Sequence, residues 1–133
     1  MLIGKYYKEK VLSLPRKERR KFEIPLNDGV TRIENEIFGW KLYYRKHGRK
    51  SEDYIDCRTE EEARYIKVFM ELEVREIYIP KDEKLIAEIL PKLEHLKRQT
   101  DEVLGGFLSA LMQRKHREQL KFMVYRDVMK EAE

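Results

Sequence analysis

The period of apolar positions changes several times along the chain. Residues 40–46 alternate: Trp40, Leu42 and Tyr44 fall on one face, Lys41, Tyr43 and Arg45 on the other. That period of two predicts a half-buried strand with a basic, aromatic outer face. Before it, residues 22–26 and 30–38 read as two further strands. Asn27-Asp28-Gly29 between them is a turn signal, Pro25 argues for an edge position, and Gly39 predicts a bulge. After it, residues 47–51 form a second turn that leads into a strand at Tyr54. Residues 22–58 are therefore expected to form an antiparallel meander.

The clearest local signal runs from Asp53 to Pro80. A β-forming run at Tyr54, Ile55, Asp56, Cys57 and Arg58 precedes Thr59. Ala63, Ile66, Phe69 and Met70 then recur at helical spacing, and Val74, Ile77, Tyr78 and Ile79 form a second β run that Pro80 ends. Thr59 and Glu62 make a T-x-x-E capping box, in which the hydroxyl accepts from the first turn and the carboxylate returns to the Thr59 amide. Glu60, Glu61 and Glu62 suit the positive end of the helix dipole. Strand, helix and strand can form a parallel, right-handed crossover.

The flanks are helical or undecided. Residues 1–14 mix Leu2, Ile3, Tyr6, Tyr7, Val11, Leu12 and Leu14 with lysines, fit either a strand or a short helix, and end at Pro15. Beyond Pro80, Asp82 can cap a helix whose apolar face is Leu85, Ile86, Ile89, Leu90, Leu93 and Leu96. Pro91 predicts a kink or restart near Leu90. Thr100-Asp101 is the expected cap of a final long helix reaching about Lys130, with Gly105-Gly106 a weak point. In that helix Leu104, Leu108, Leu111, Lys115, Glu118, Phe122, Tyr125 and Met129 follow alternating steps of four and three, a heptad stripe with one charged layer. Crossing two copies near His116-Arg117 sets Lys115 of one against Glu118 of the other. The stripe is read as a homodimer interface; packing on the chain's own sheet and packing on an unrelated partner are the alternatives. Leu120, Val124 and Val128 add a second apolar line.

These elements define the expected fold class. It is α+β: a mostly antiparallel sheet with a strand–helix–strand unit, then a kinked helix and a long C-terminal helix. The 133 residues are read as one domain, with a sheet-rich basic part over 1–80 and a helical part over 81–133.

Charge adds to this picture. Hydrophobic and charged residues each make up 41%, so a core is affordable but the surface must be dense in ion pairs. Two Asn and three Gln beside abundant Lys, Arg and Glu match the bias of heat-adapted proteins, and a thermophilic source is expected. The single Cys57 fits a reducing cytoplasm and reads as a small buried hydrophobe. No apolar run has the length of a membrane span, and residues 1–10 lack a signal-peptide core. The net charge of +4 is uneven: residues 1–50 carry fourteen cations against six acids, residues 51–104 nine against fifteen, and residues 105–133 six against four.

The basic N-terminal third points to a non-enzymatic nucleic-acid-binding protein, DNA or RNA. The residues assigned to phosphate are Arg16, Lys17, Arg19, Arg20 and Lys21, then Lys41, Arg45, Lys46, Arg49 and Lys50; Tyr43 would stack on a base or sugar, and Tyr6 and Tyr7 precede the set. Over residues 38–72 the order of Trp-bearing strand, basic Gly turn, strand and Thr-capped helix is similar to small three-stranded DNA-binding modules, and it identifies no single family. The first alternative is a protein-interaction or assembly module built on the C-terminal helix. The second is a metal-dependent nuclease using Asp82-Glu83-Lys84 with Asp56 or Glu36, although Asp82 and Glu83 also suit a helix start. Glu34 and Glu36 share a strand face that could bind a metal, but a solvated face is the commoner outcome. His47, His95 and His116 lack ligand spacing, there is no cysteine pair for zinc, and Gly105-Gly106 lacks the Lys and Ser or Thr of a phosphate loop. No metal, cofactor or catalytic residue is assigned.

Overall fold

The computed structural model of the protein describes residues 2–102. The architecture is α+β with antiparallel sheets. Helix α1, Ile3–Tyr7, passes into a π-helical turn at Lys8–Leu12, and a 3-10 turn at Arg16–Glu18 leads to strand β1, Arg19–Glu23. Strands β2 (Asn27–Glu36), β3 (Gly39–Lys46) and β4 (Glu52–Cys57) follow, then helix α2 (Glu60–Glu71), strand β5 (Glu76–Pro80) and helix α3 (Glu83–Glu102).

Two sheets result. One is the meander β2-β3-β4; the other is the antiparallel pair β1-β5. The expected meander therefore starts at Asn27 and not at residue 22, because β1 leaves it for β5, with Phe22 opposite Ile77. The parallel crossover is not formed either. Strands β4 and β5 belong to different sheets, and α2 bridges between them. Asn27, Asp28 and Gly29 lie inside the start of β2, and the register shifts there and again before Arg32 are bulges. Strand β2 stops at Glu36, two residues short of the expected Phe38, so Ile37 and Phe38 become the two-residue turn that closes the β2–β3 hairpin. Gly39 after it has φ +126°, a region other residues enter only under strain, and a Cβ there would sit 3.2 Å from the Cys57 carbonyl oxygen.

Helix α2 starts as its sequence dictates and ends as it does not. The Thr59 hydroxyl accepts from the Glu62 amide at 3.1 Å. The Glu62 carboxylate does not complete the capping box. It is 1% exposed, and its two oxygens accept from Arg20 Nη2 at 2.8 Å and Arg58 Nε at 2.9 Å. Two guanidiniums outcompete one amide for a buried carboxylate because charge-assisted bonds are stronger. At the other end Glu73 adopts φ 62°, and the Val74 amide reaches back to the Phe69 carbonyl, a left-handed helix end without glycine.

The core lies where α2 meets both sheets and α3. Phe69 is fully buried between Tyr7 and Tyr65, each ring centroid 5.2 Å from its own. The two tyrosine hydroxyls close the outer edge of β5: the Tyr78 amide donates to Tyr7 Oη at 2.8 Å, and Tyr65 Oη donates to the Tyr78 carbonyl at 2.7 Å. Helix α3 contributes Ile86, Ile89, Leu90, Leu93 and Leu96. It runs through Pro91 without restarting, the ring lying on the exposed side. Thr100 and Asp101 are still inside it, where Thr100 Oγ1 donates to the Leu96 carbonyl, so they do not cap a new helix. The heptad stripe 104–129 lies outside the described residues. Among those described, no helix is long and apolar enough to cross a membrane.

Candidate nucleic-acid interface

Strand alternation in the meander turns one face away from α2. Arg32, Glu34 and Glu36 of β2, Lys41, Tyr43 and Arg45 of β3, and Glu52, Tyr54 and Asp56 of β4 all share that face. Its centre is a pair of tyrosines. Tyr43 and Tyr54 are directly opposite, with centroids 5.9 Å apart. Arg32 stacks over the Tyr43 ring and Lys41 over the Tyr54 ring, both at 4.0 Å. Arg32 Nη1 also reaches Glu52 at 2.8 Å, and its Nε reaches Glu34 at 3.0 Å. The Tyr43 hydroxyl donates to Glu36, which Lys41 approaches at 3.4 Å.

These contacts set the electrostatics. The Tyr43 hydroxyl holds the Glu36 carboxyl below its usual range, and the same bond raises the Tyr43 phenol. The Thr31 hydroxyl, with Arg32, does the same for Glu52. The face thus carries three cations against four carboxylates, most of them already paired. Sequence reasoning assigned Lys41, Tyr43 and Arg45 to it but missed Arg32, Tyr54 and the acids. Cross-strand register supplies them, and the two turns around Gly39 and Gly48 were the signal for it.

The eleven assigned residues do not form one patch. Arg20 is tied to Glu62 in the first turn of α2, which follows directly on Cys57 opposite Trp40. Lys46, Arg49 and Lys50 are at the other end of β3, a strand of eight residues spanning about 25 Å. In the first group Lys21 pairs with Glu76 at 3.4 Å, and Arg19 stacks over Tyr78 at 4.4 Å with its Nε buried and without a hydrogen-bond partner among the described residues. Arg16 and Lys17 are exposed on the 3-10 turn.

The second group is freer. Lys46 is 4.0 Å from Asp53. Arg45, Arg49 and Lys50 are exposed, and among the described residues no carboxylate stands within 4.0 Å of them. The turn that presents Arg49 and Lys50 is anchored. Asp28 accepts from the Gly48 amide at 2.9 Å and meets His47 Nδ1 at 2.8 Å. The opposite hairpin end differs in kind: Ile37 and Phe38 are 93% and 99% exposed.

Other chemistry finds little to work with. Asp82 Oδ1 accepts from the Lys84 amide at 2.9 Å, a helix start, and Glu83 lies 3.8 Å from Arg58. Glu36 is spent on Tyr43 and Lys41. Among the described residues no three His, Cys, Asp or Glu side chains gather as a metal requires. Cys57 is buried, and that burial pushes its thiol up to about 12, so it is not a nucleophile at neutral pH. Comparison with protein-family models, curated proteins and solved structures finds no match to this chain.

Proposed function

We infer that the chain is a non-enzymatic nucleic-acid-binding protein acting through the outer face of β2-β3-β4 and the β3–β4 turn. The observation that carries this reading is the exposed set Arg45, at the end of β3, with Arg49 and Lys50 on the anchored turn after it, none of them in an ion pair within 4.0 Å among the described residues. Cations without carboxylate partners are the ones that gain most by neutralising phosphate and releasing counterions. A three-stranded sheet backed by a helix also has the shape of a β-sheet reader, whose strands lie against a groove. Arg20, Lys21 and Lys41 are already paired and take a smaller part.

The reading includes a homodimer joined through the stripe from Leu104 to Met129, and a heat-adapted, cytoplasmic setting. Linked surface ion pairs such as Glu71–Lys97–Asp101 support the thermal part.

The test is fluorescence anisotropy with labelled duplex DNA, single-stranded DNA and RNA over a range of salt. Binding that weakens with salt, at a slope reduced by about 3 when Arg45, Arg49 and Lys50 become Gln, is expected. No binding at low salt, or binding indifferent to those substitutions, overturns the reading. A protein-interaction module is the second reading, favoured by the exposed Ile37 and Phe38. Nucleic-acid binding unaffected by Phe38→Ser leaves the tip free for that role.

A further inference from the structure

Among the described residues two open sheets leave four strand edges, and unpaired edges invite another strand. Two of them are capped and a third is short. Tyr7 and Tyr65 seal β5. In β4 the Tyr54 amide, the central donor on the outer side, already donates to Asp53 Oδ1 at 2.8 Å. Strand β1 has only five residues, and its next outward donor position is Pro25, which has no N–H.

Strand β2 is the exception. It is ten residues long, and Thr31, Arg32, Glu34 and Asn35 are exposed. The Lys46 amide donates to the Ser51 carbonyl, which fixes the phase of the β3–β4 ladder. Even-numbered residues of β3 therefore bond to β4, and Lys41 and Tyr43 bond to β2. The backbone N–H and C=O of their partners Glu34 and Arg32 point to β3, so those of Ile33 point to the open edge. Among the described residues nothing hydrogen-bonds to them.

We propose that β2 pairs with β2 of a second copy of this chain, antiparallel and centred on Ile33. This register puts Arg32 of each copy opposite Glu34 of the other, twice. Moving the centre by one residue, to 32 or 34, sets Arg32 against Arg32 or Glu34 against Glu34, and cross-strand like charges are unfavourable. The charge pattern thus selects one register. The two-fold axis stands perpendicular to the sheet, so six strands become continuous and both tyrosine-bearing faces look the same way. The two Arg45 side chains then lie roughly 25 Å apart on one surface. That doubles the contact face of the proposed function. The pairing itself requires neither nucleic acid nor the C-terminal stripe.

Site-specific cross-linking tests it. In an H-bonded antiparallel pair the two Cα atoms at position 33 are about 5.5 Å apart, within disulfide reach. Full-length Ile33→Cys protein, oxidised at micromolar concentration, is expected to give a covalent dimer on a non-reducing gel; Cys57 is buried and remains as it is. Adding Arg32→Glu, or separately Glu34→Arg, lowers the yield about tenfold, because each sets like charges opposite. Mixing those two variants restores it, since each then meets its complement. The proposal is overturned if Ile33→Cys cross-links no more than an Ile37→Cys control, or if the mixed variants cross-link no better than either alone. Circular dichroism of each single variant separates loss of pairing from loss of fold, and the mixture decides even where one variant is weakened.

Discussion

The two sheets use the same kinds of residue for opposite ends. Around β1-β5 charged and aromatic side chains are tied into the fold: Arg20 holds the buried Glu62, Arg19 lies on Tyr78, and Tyr7 and Tyr65 close the edge of β5. In β2-β3-β4 they lie on the outer face: Arg32 and Lys41 stack on Tyr43 and Tyr54, and among the described residues the long β2 edge stays open. Burial separates the two cases. A charge taken from water must be matched by hydrogen bonds, so it becomes part of the fold. A charge left in water is worth little to stability and is available to a partner.

The largest effect should come from breaking the buried charge. Glu62→Gln is expected to cost about 2 kcal/mol, the scale of hydrogen bonds to a charged group. The lowered midpoint in guanidinium, with an unchanged slope, reads it. Glu52→Gln makes the same change against Arg32 on the open face and should leave the midpoint where it was. Equal losses at both sites would erase the distinction between the sheets.

Next comes the sealed edge. Tyr7→Phe leaves the Tyr78 amide without its acceptor, and Tyr65→Phe leaves the Tyr78 carbonyl without its donor. Each should cost about 1–2 kcal/mol. Hydrogen exchange at Tyr78 should speed up in Tyr7→Phe while amides of β3 keep their protection. Uniform loss of protection would mean that the seal matters only to the whole.

What could be read from the sequence follows the same division. The Thr59 cap, the α2 face and the hairpin strands β3 and β4 depend on residues a few positions apart, and each was legible. The partner of β1 was not, because Phe22 meets Ile77 across more than half of the described chain and no local period encodes that. For the same reason Arg16 to Lys21 read as one basic cluster: the carboxylates that claim Arg20 and Lys21 are Glu62 and Glu76. Ile37-Phe38 looked like more strand because turns are ordinarily built from Gly, Asn and Asp. The end of α2 at Glu73 gave no signal, since its left-handed residue is not glycine. Of the candidate site, β3 and the basic turn were visible; Arg32 and Tyr54 required the register.

A smaller effect is expected at the free cations. Changing Arg45, Arg49 and Lys50 together to Gln should leave the unfolding midpoint almost unchanged, because none of them closes an ion pair within 4.0 Å among the described residues and the pull of Arg45 on Glu52 and Asp28 acts through solvent. Anisotropy under low salt should nevertheless show weaker nucleic-acid binding. A fall in stability would place these residues with the structural cations of the other sheet.

The smallest effect concerns the turn that carries Arg49 and Lys50. Asp28 accepts from the Gly48 amide and from His47, and these bonds hold its carboxyl below the usual value of 3.8. A group whose folded pKa is depressed contributes above its unfolded pKa and loses that contribution as pH falls through the folded one. The anchor should therefore be intact from neutral pH down to about 4 and be released only below that. Because Asp28 is exposed, global stability should barely register it. The Gly48 amide resonance should, titrating with a midpoint below 3.8, and Asp28→Asn should abolish the titration. A midpoint at or above that value would mean that Asp28 gains nothing from the contact and that the basic turn is held by its own backbone.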